Sequence, residues 1–126
     1  MTMTNLQSLI EQYQPTEAVR QLVCDTRIVL LVGISGAGKD TTKQRLLAST
    51  EFADIVSYTT RQPRQNKGVW EQKGVDYHYI DEATAAELLQ SRAFVEAKFV
   101  HGTLYGTGVR QIQDIRDAGK IAVTDI

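Results

Sequence analysis

The sequence predicts an α/β fold built on a parallel sheet, and three observations carry that reading. The apolar run Ile28-Val29-Leu30-Leu31-Val32 is followed by a glycine-rich loop and then by Thr42-Lys43-Gln44-Arg45-Leu46-Leu47, which reads as the start of a helix. A short, continuous apolar run of this kind is the pattern of a buried parallel strand. Near the end of the chain, an amphipathic helical pattern over residues 109–118 leads straight into a second such run, Ile121-Ala122-Val123-Thr124. Between the two, short β-branched or alternating stretches are separated by turn residues and one further helical pattern.

A length of 126 residues allows one domain with one modest core. Fourteen Lys and Arg against fifteen Asp and Glu leave a net charge of -1. That balance gives no basic excess to attract nucleic acid and no charged run that would form a disordered tail. Cys24 is the only cysteine, so no intrachain disulfide forms, and its place in an apolar helical pattern predicts a buried, inert thiol. No apolar stretch approaches a membrane span. The first ten residues lack the basic start and apolar core of a signal peptide. A soluble cytoplasmic protein with no membrane partner is the expectation.

Each element follows in order. Residues 5–14 place Leu6, Leu9, Ile10 and Tyr13 at helical spacing; Pro15 ends the pattern, and Thr16-Glu17 opens a second turn or helix carrying Ala18, Val19, Leu22 and Val23. These two predict a helical extension packed on the outside of the domain. After the glycine loop and its helix, Ile55-Val56-Ser57-Tyr58-Thr59-Thr60 predicts a β-branched strand that runs into Pro63. Residues 65–74 read as a polar loop with turns at Gly68 and Gly74 and Trp70 in the middle. Asp76-Tyr77-His78-Tyr79-Ile80 is a short strand, and Asp81 an N-cap for a helix through Glu87, Leu88 and Leu89. Strict alternation puts Phe94, Glu96 and Lys98 on one strand face and Val95, Ala97 and Phe99 on the other. Leu104-Tyr105-Gly106-Thr107 is extended. The helix over 109–118 turns Val109, Ile112 and Ile115 inward and ends at Gly119. His78 and His101 have no metal-ligand or base–nucleophile partner by spacing and read as structural.

The chemistry begins at Gly33-Ile34-Ser35-Gly36-Ala37-Gly38-Lys39-Asp40-Thr41. Strand, glycine loop and helix are the context of a phosphate-binding P-loop. The glycines let backbone N–H groups point inward, and with the positive end of the helix they form an anion cradle. Lys39 would reach the β- and γ-phosphates of a nucleotide. Asp40 stands where the pattern has a Ser or Thr to hold magnesium, and Thr41 comes one position late. Arg61, Arg64, Tyr77 and Tyr105 suit a second phosphate: arginine offers a rigid fork and tyrosine a neutral donor. By spacing alone they also fit solvated surface charges. Glu96, among Phe94, Val95 and Ala97, faces either a polar ligand or solvent beside Lys98.

Taken together, Ser57-Tyr58-Thr59-Thr60-Arg61-Gln62-Pro63-Arg64, Gly74-Val75-Asp76-Tyr77-His78-Tyr79, Phe94-Val95-Glu96-Ala97-Lys98-Phe99 and Tyr105-Gly106-Thr107 resemble the monophosphate-binding half of guanylate kinase. The order and most spacings match from about Ile28 onward. The resemblance implies a three-layer P-loop kinase fold with a parallel core sheet and an inserted monophosphate-binding subdomain. The divisions are then a helical extension at 1–26, a P-loop core at 27–56, a GMP-binding subdomain at 57–107, and a core helix and strand at 108–126. It implies transfer of the γ-phosphoryl of ATP to GMP, with Mg²⁺ accompanying ATP. Gly33, Ser35, Gly36, Ala37, Gly38, Lys39, Asp40 and Thr41 would bind the ATP phosphates, with Asp40 the metal ligand. Arg61, Arg64, Tyr77 and Tyr105 would hold the GMP phosphate, and Ser57, Glu96 and Thr107 would read the guanine. Lys39 and Arg61 are the residues expected to act in catalysis.

The sequence departs from that family in four places. Asp40 replaces the magnesium-binding hydroxyl. The loop between Arg64 and Tyr77 is about four residues longer than usual, which leaves Lys67 near where a glutamate is common. Residues 1–26 precede the usual start. The last strand reads Thr124-Asp125-Ile126 where the family normally has Leu-Asp-Ile-Asp, and the later lid helix, adenine pocket and final core strands are expected to be missing. The strand at 28–32 would then have its neighbour at 121–124 but an open second edge, which predicts self-association through that edge. Three alternatives remain: a ribose 1,5-bisphosphate phosphokinase-like enzyme, which Asp40 favours; a non-catalytic guanylate-kinase-like binding module; and a truncated or fragmentary gene product.

Overall fold

The computed structural model describes residues 3–32 and 38–125. In chain order the elements are α1 (Met3–Glu11), α2 (Glu17–Asp25), β1 (Ile28–Leu31), α3 (Lys39–Leu47), β2 (Phe52–Asp54), β3 (Tyr58–Thr59) and β4 (Gln65–Asn66). There follow β5 (Val69–Trp70), β6 (His78–Tyr79), α4 (Glu82–Gln90), β7 (Phe94–Val100), β8 (Thr103–Gly108), α5 (Val109–Asp117) and β9 (Ile121–Asp125). They divide into two units, one from residues 3–20 and 56–109 and one from residues 21–55 and 110–125. No helix among the described residues is long and apolar enough to cross a membrane.

The second unit holds the parallel sheet that the two apolar runs predict, in the order β1-β9-β2. β9 lies between its neighbours, with Ile28 opposite Ala122 on one side and Phe52 opposite Ile121 on the other. Ala122 and Val123 are fully buried, and Leu22, Ile55, Ile112 and Ile115 complete the apolar interior. β1 is an end strand, and it is less buried than its sequence predicts: Leu30 is 55% exposed and Val32 just beyond it 76%. Cys24 is likewise exposed rather than buried. On α2 the inward positions are Val19 and Leu22, and Cys24 falls on the outer side of the helix.

The predicted strand over 55–60 is split. The preceding strand β2 pairs with β9, Ile55 still donates to the Val123 carbonyl at 2.9 Å, and regular pairing resumes only at Tyr58 in a different sheet. The break is where the chain passes from one unit into the other.

The first unit is organised on a four-stranded sheet in the order β6-β3-β8-β7. β3 runs parallel to β6 and antiparallel to β8, and β7 and β8 form a hairpin. Its turn is His101-Gly102, with φ of 51° and 76°, the two left-handed residues that a two-residue hairpin requires. Leu6 and Ile10 of α1, one helical turn apart, enter the same core as Ala85, Leu89, Phe94 and Leu104. The first helix is therefore part of this interior and not an external layer. α4 is capped as expected: the Asp81 carboxylate accepts the Thr84 N–H at 2.7 Å, which holds its pKa below the usual value.

Two local expectations are corrected here. The polar loop over 65–74 contains a hairpin, β4 against β5, turned by Lys67 and Gly68 with φ of 51° and 80°. And β7 does not alternate strictly. A β-bulge between Phe94 and Glu96 inserts one residue against β8, so Phe94 pairs with Gly108 but Glu96 pairs with Thr107. Phe94 consequently packs in the core with Ala97 and Phe99, while Glu96 lies exposed on the opposite face.

Candidate functional site

β8 turns Leu104, Gly106 and Gly108 into the core and leaves Tyr105 and Thr107 half-buried on the other face. Two strand residues on one face lie about 7 Å apart. Directly across on β7 stand Lys98 opposite Tyr105 and Glu96 opposite Thr107. The Thr107 hydroxyl donates to Glu96 Oε1 at 3.0 Å, so an exposed carboxylate is already oriented before any ligand arrives. On the other flank of β8, Tyr58 pairs with Gly106, which brings Ser57, the residue before β3, beside Thr107. The Ser57 carbonyl accepts the His78 N–H at 2.8 Å, and the His78 ring lies 4.9 Å from that of Tyr58, the structural role its sequence context predicts.

Around Tyr105 a second cluster forms. The Tyr77 ring lies 5.8 Å from Tyr105 and 6.0 Å from Tyr79, and the Arg61 guanidinium carbon sits 5.1 Å from the Tyr77 ring centre. That distance is within cation–π range. The guanidinium is also gripped by an acidic residue that the sequence reading passed over. Arg61 Nη1 lies 3.0 Å from Glu71 Oε1 and Nη2 donates to Oε2 at 3.2 Å, with both side chains only 10% exposed. Glu71 Oε1 also accepts the Tyr79 hydroxyl at 3.0 Å and the Arg64 N–H at 3.0 Å.

The electrostatics follow from this geometry. Hydrogen bonding from Arg61 holds the Glu71 carboxyl below its usual pKa, and Glu71 in turn keeps Arg61 more firmly protonated than usual, against the opposing effect of burial. Burial and then the Glu71 carboxylate push the Tyr79 hydroxyl up to about 12, so it stays a donor. Arg61 Nε is buried with no hydrogen-bond partner among the described residues. Arg64 is exposed and makes no ion pair among them. Arg61 is fixed by a charged carboxylate, and Arg64 supplies exposed positive charge. Such a pair suits an oxyanion.

Glu71 and Tyr79 were the residues missed. Tyr79 lies on β6 opposite Thr59, which itself pairs with Tyr105, so the sheet register places it in the cluster. Glu71 depends on the hairpin: the turn at Lys67-Gly68 folds the extra residues back, and the Glu71 N–H donates to the Arg64 carbonyl at 2.9 Å. The loop insertion is thus taken up in β4 and β5, and Glu71 rather than position 67 supplies the acidic partner. The signal available was Lys-Gly between Gln65-Asn66 and Val69-Trp70, a two-residue hairpin turn.

Of the glycine loop, Gly33, Ser35, Gly36 and Ala37 lie outside the described residues. Gly38 closes the loop at a φ of 83°, a conformation that favours glycine, and α3 begins at Lys39, Asp40 and Thr41. The Thr42 N–H and hydroxyl both bond the Gly38 carbonyl, at 3.0 and 3.1 Å. Lys43, one turn along α3, pairs with Asp54 at 3.0 Å. Lys39 is thus the first residue of α3, directly after Gly38.

A family model described as guanylate kinase matches residues 25–126. The guanylate kinase of Schizosaccharomyces pombe is 32% identical over 117 residues, covering 91% of this chain and 56% of that protein. That of Campylobacter jejuni strain RM1221 is 38% identical over 103 residues, covering 79% and 47%. The crystal structure of guanylate kinase from Anaplasma phagocytophilum is similar with a TM-score of 0.58 and 27% identity, over 80% of this chain and 47% of that one. The chain spans about half the length of these relatives.

Proposed function

The chain belongs to the guanylate kinase family, and on that premise we propose that it carries the phosphate-donor loop and the GMP-binding face of an enzyme that moves the γ-phosphoryl of ATP onto GMP. The observation that supports this most is the preset Glu96–Thr107 pair standing one strand repeat from the Arg61–Tyr77–Tyr105 cluster. A nucleoside monophosphate has the same two ends. At one end, the Glu96 carboxylate accepts from guanine N1–H and from the exocyclic amine, with Thr107 and Ser57 beside it. Adenine presents a bare N1 acceptor there and would leave Glu96 unsatisfied, a mismatch that costs strongly in a built polar site. At the other end Arg61, Arg64, Tyr77 and Tyr105 take the phosphate, and the orphaned Arg61 Nε gains its acceptor. A ribose bisphosphate would make no use of Glu96, which favours the nucleotide.

On the donor side, Lys39 and the α3 N-terminus take the β- and γ-phosphates, with Gly33, Ser35, Gly36, Ala37, Gly38 and Thr41 in the loop. Among the described residues no three His, Cys, Asp or Glu gather to hold a metal ion. Asp40, in the first turn of α3, would be the protein's ligand to a Mg²⁺ carried by the nucleotide phosphates. When bound, the ion neutralises charge on the phosphates; the chain's part is to position both nucleotides and to add the charge of Lys39 and Arg61. The open edge of β1, with Leu30 and Val32 exposed, would pair two copies of the chain, and light scattering across a concentration series tests this.

Calorimetric titration of the chain with GMP and with AMP tests the reading. GMP should bind at least about tenfold more tightly, the worth of one charged hydrogen bond. Equal affinities would overturn the assignment of Glu96 to guanine.

A further inference from the structure

The bulge between Phe94 and Glu96 decides which way Glu96 faces. With strict alternation, Glu96 would share a face with Phe94, which is fully buried, and a carboxylate would be driven into the core. The extra residue reverses the strand, so Phe94, Ala97 and Phe99 go inward and Glu96 meets the Thr107 hydroxyl. Something must hold that bulge, because Phe94 lies at the start of the end strand of its sheet. Phe94 and Gly108 form a non-hydrogen-bonded pair, since the adjoining Val109 N–H donates to the Ala93 carbonyl at 2.9 Å, so the Phe94 N–H and C=O face away from β8. Both are taken by one side chain: the Phe94 N–H donates to the Tyr13 hydroxyl at 3.0 Å, and the same hydroxyl donates to the Phe94 carbonyl.

Tyr13 comes from just beyond α1, outside the residues that the family model matches. Its ring meets the edge of the Phe94 ring at 6.4 Å and 78°. The next residues are tied to the same point, since Arg92 Nε donates to the Gln14 carbonyl at 3.0 Å and Nη2 to the Pro15 carbonyl at 3.3 Å. On the inner side the Phe94 ring lies across Gly106, where a Cβ would come within 2.9 Å of two ring carbons. Phe94 is therefore clamped from outside by Tyr13 and seated inside on a glycine. Burial, partly offset by the Phe94 bond and by Arg92, raises the Tyr13 pKa, so the hydroxyl keeps its proton at working pH.

We propose that Tyr13 is a positioning residue for base selection: by holding both backbone groups of Phe94 it fixes the β7 bulge and so presents Glu96 to the purine. The N-terminal segment then belongs to the specificity apparatus and not only to the core. This inference rests on the guanine reading of Glu96. Tyr13→Phe removes the hydroxyl and keeps the ring.

The test compares titrations of wild type and Tyr13→Phe with GMP and with IMP, which lacks the exocyclic amine that the second Glu96 oxygen would accept. Wild type should prefer GMP, and in Tyr13→Phe the GMP affinity should fall by about tenfold while IMP changes less, so that the ratio narrows. Leu89→Ala, which weakens the same core without touching the clamp, should leave the ratio where it is. A wild type that prefers GMP beside a Tyr13→Phe variant with the same ratio overturns the inference alone. A wild type with no preference for GMP over IMP or AMP overturns the guanine reading and this inference with it. Amide hydrogen exchange on wild type needs no variant to fold: Phe94 N–H should be as protected as the β7–β8 ladder amides, and free exchange at Phe94 would also overturn the proposal.

Discussion

The two units of the chain build their sites in opposite ways. In the unit of β1, β9 and β2, the candidate groups come from consecutive residues: a glycine turn at Gly38, then Lys39 at a helix N-terminus. In the unit of β6, β3, β8 and β7, Arg61 and Glu96 are each aimed by a partner ten or more residues away in sequence. Glu71 aims Arg61 across ten residues, Thr107 orients Glu96 across eleven, and Tyr13 holds Phe94 across eighty-one. A local site can lose a side chain without loosening the fold around it. A networked site cannot where the orienting group also satisfies a buried one, as Glu71 does for Arg61.

The largest effect that separates the two is expected at Glu71. Glu71→Ala leaves a nearly buried guanidinium without its counter-charge and should cost about 3 kcal/mol in denaturant unfolding. A loss under about 1 kcal/mol would class the pair with exposed salt bridges and weaken the contrast. Gly106→Ala forces a methyl group against the Phe94 ring and should cost about 2 kcal/mol by overpacking, measured the same way. Lys39→Ala is the counterpart on the local side: ATP affinity should drop roughly 30-fold by calorimetry, with the melting temperature lowered less than in Glu71→Ala. A variant that melts as early as Glu71→Ala would show that Lys39 also supports the fold.

A smaller effect is expected from pH. The Glu71 carboxyl is depressed in the folded chain, so its pair contributes stability above the unfolded value of 4.5, and that contribution is lost as pH falls through the folded value. Unfolding followed downward from pH 6 should lose stability faster in wild type than in Glu71→Gln; parallel profiles would remove Glu71 from the account. The smallest effect is at Cys24. Cys24→Ser should change stability by no more than about 0.5 kcal/mol, as befits an exposed position, and a thiol reagent should modify the native chain fully. A protected thiol would restore the buried reading.

The same contrast explains what could be read from the sequence. The strand β1 and the helix α3 were legible because one short segment contains them both. Val109 to Gly119 and the following strand were legible for the same reason: Ile112 and Ile115 mark the buried face and Gly119, at a φ of 70°, ends the helix. In the other unit, resemblance named Arg61, Tyr77, Tyr105, Glu96 and Thr107, and the structure sets Glu96 against Thr107 and gathers Arg61 and Tyr77 near Tyr105. Their supports were not legible. Nothing in the spacing of Tyr13 points to Phe94. The bulge that separates Phe94 from Glu96 has no glycine or proline to announce it. Glu71 was hidden because the hairpin at Lys67-Gly68 was read as open loop.

Titration of Glu96→Gln with GMP and separately with ATP tests the central claim most directly, that guanine is read by a preset carboxylate in a unit whose work is independent of the phosphate loop. The amide offers one acceptor where the carboxylate offers two, so GMP affinity should fall by about tenfold while ATP affinity stays within twofold of wild type. Equal loss of both ligands, or GMP binding unchanged, would contradict it.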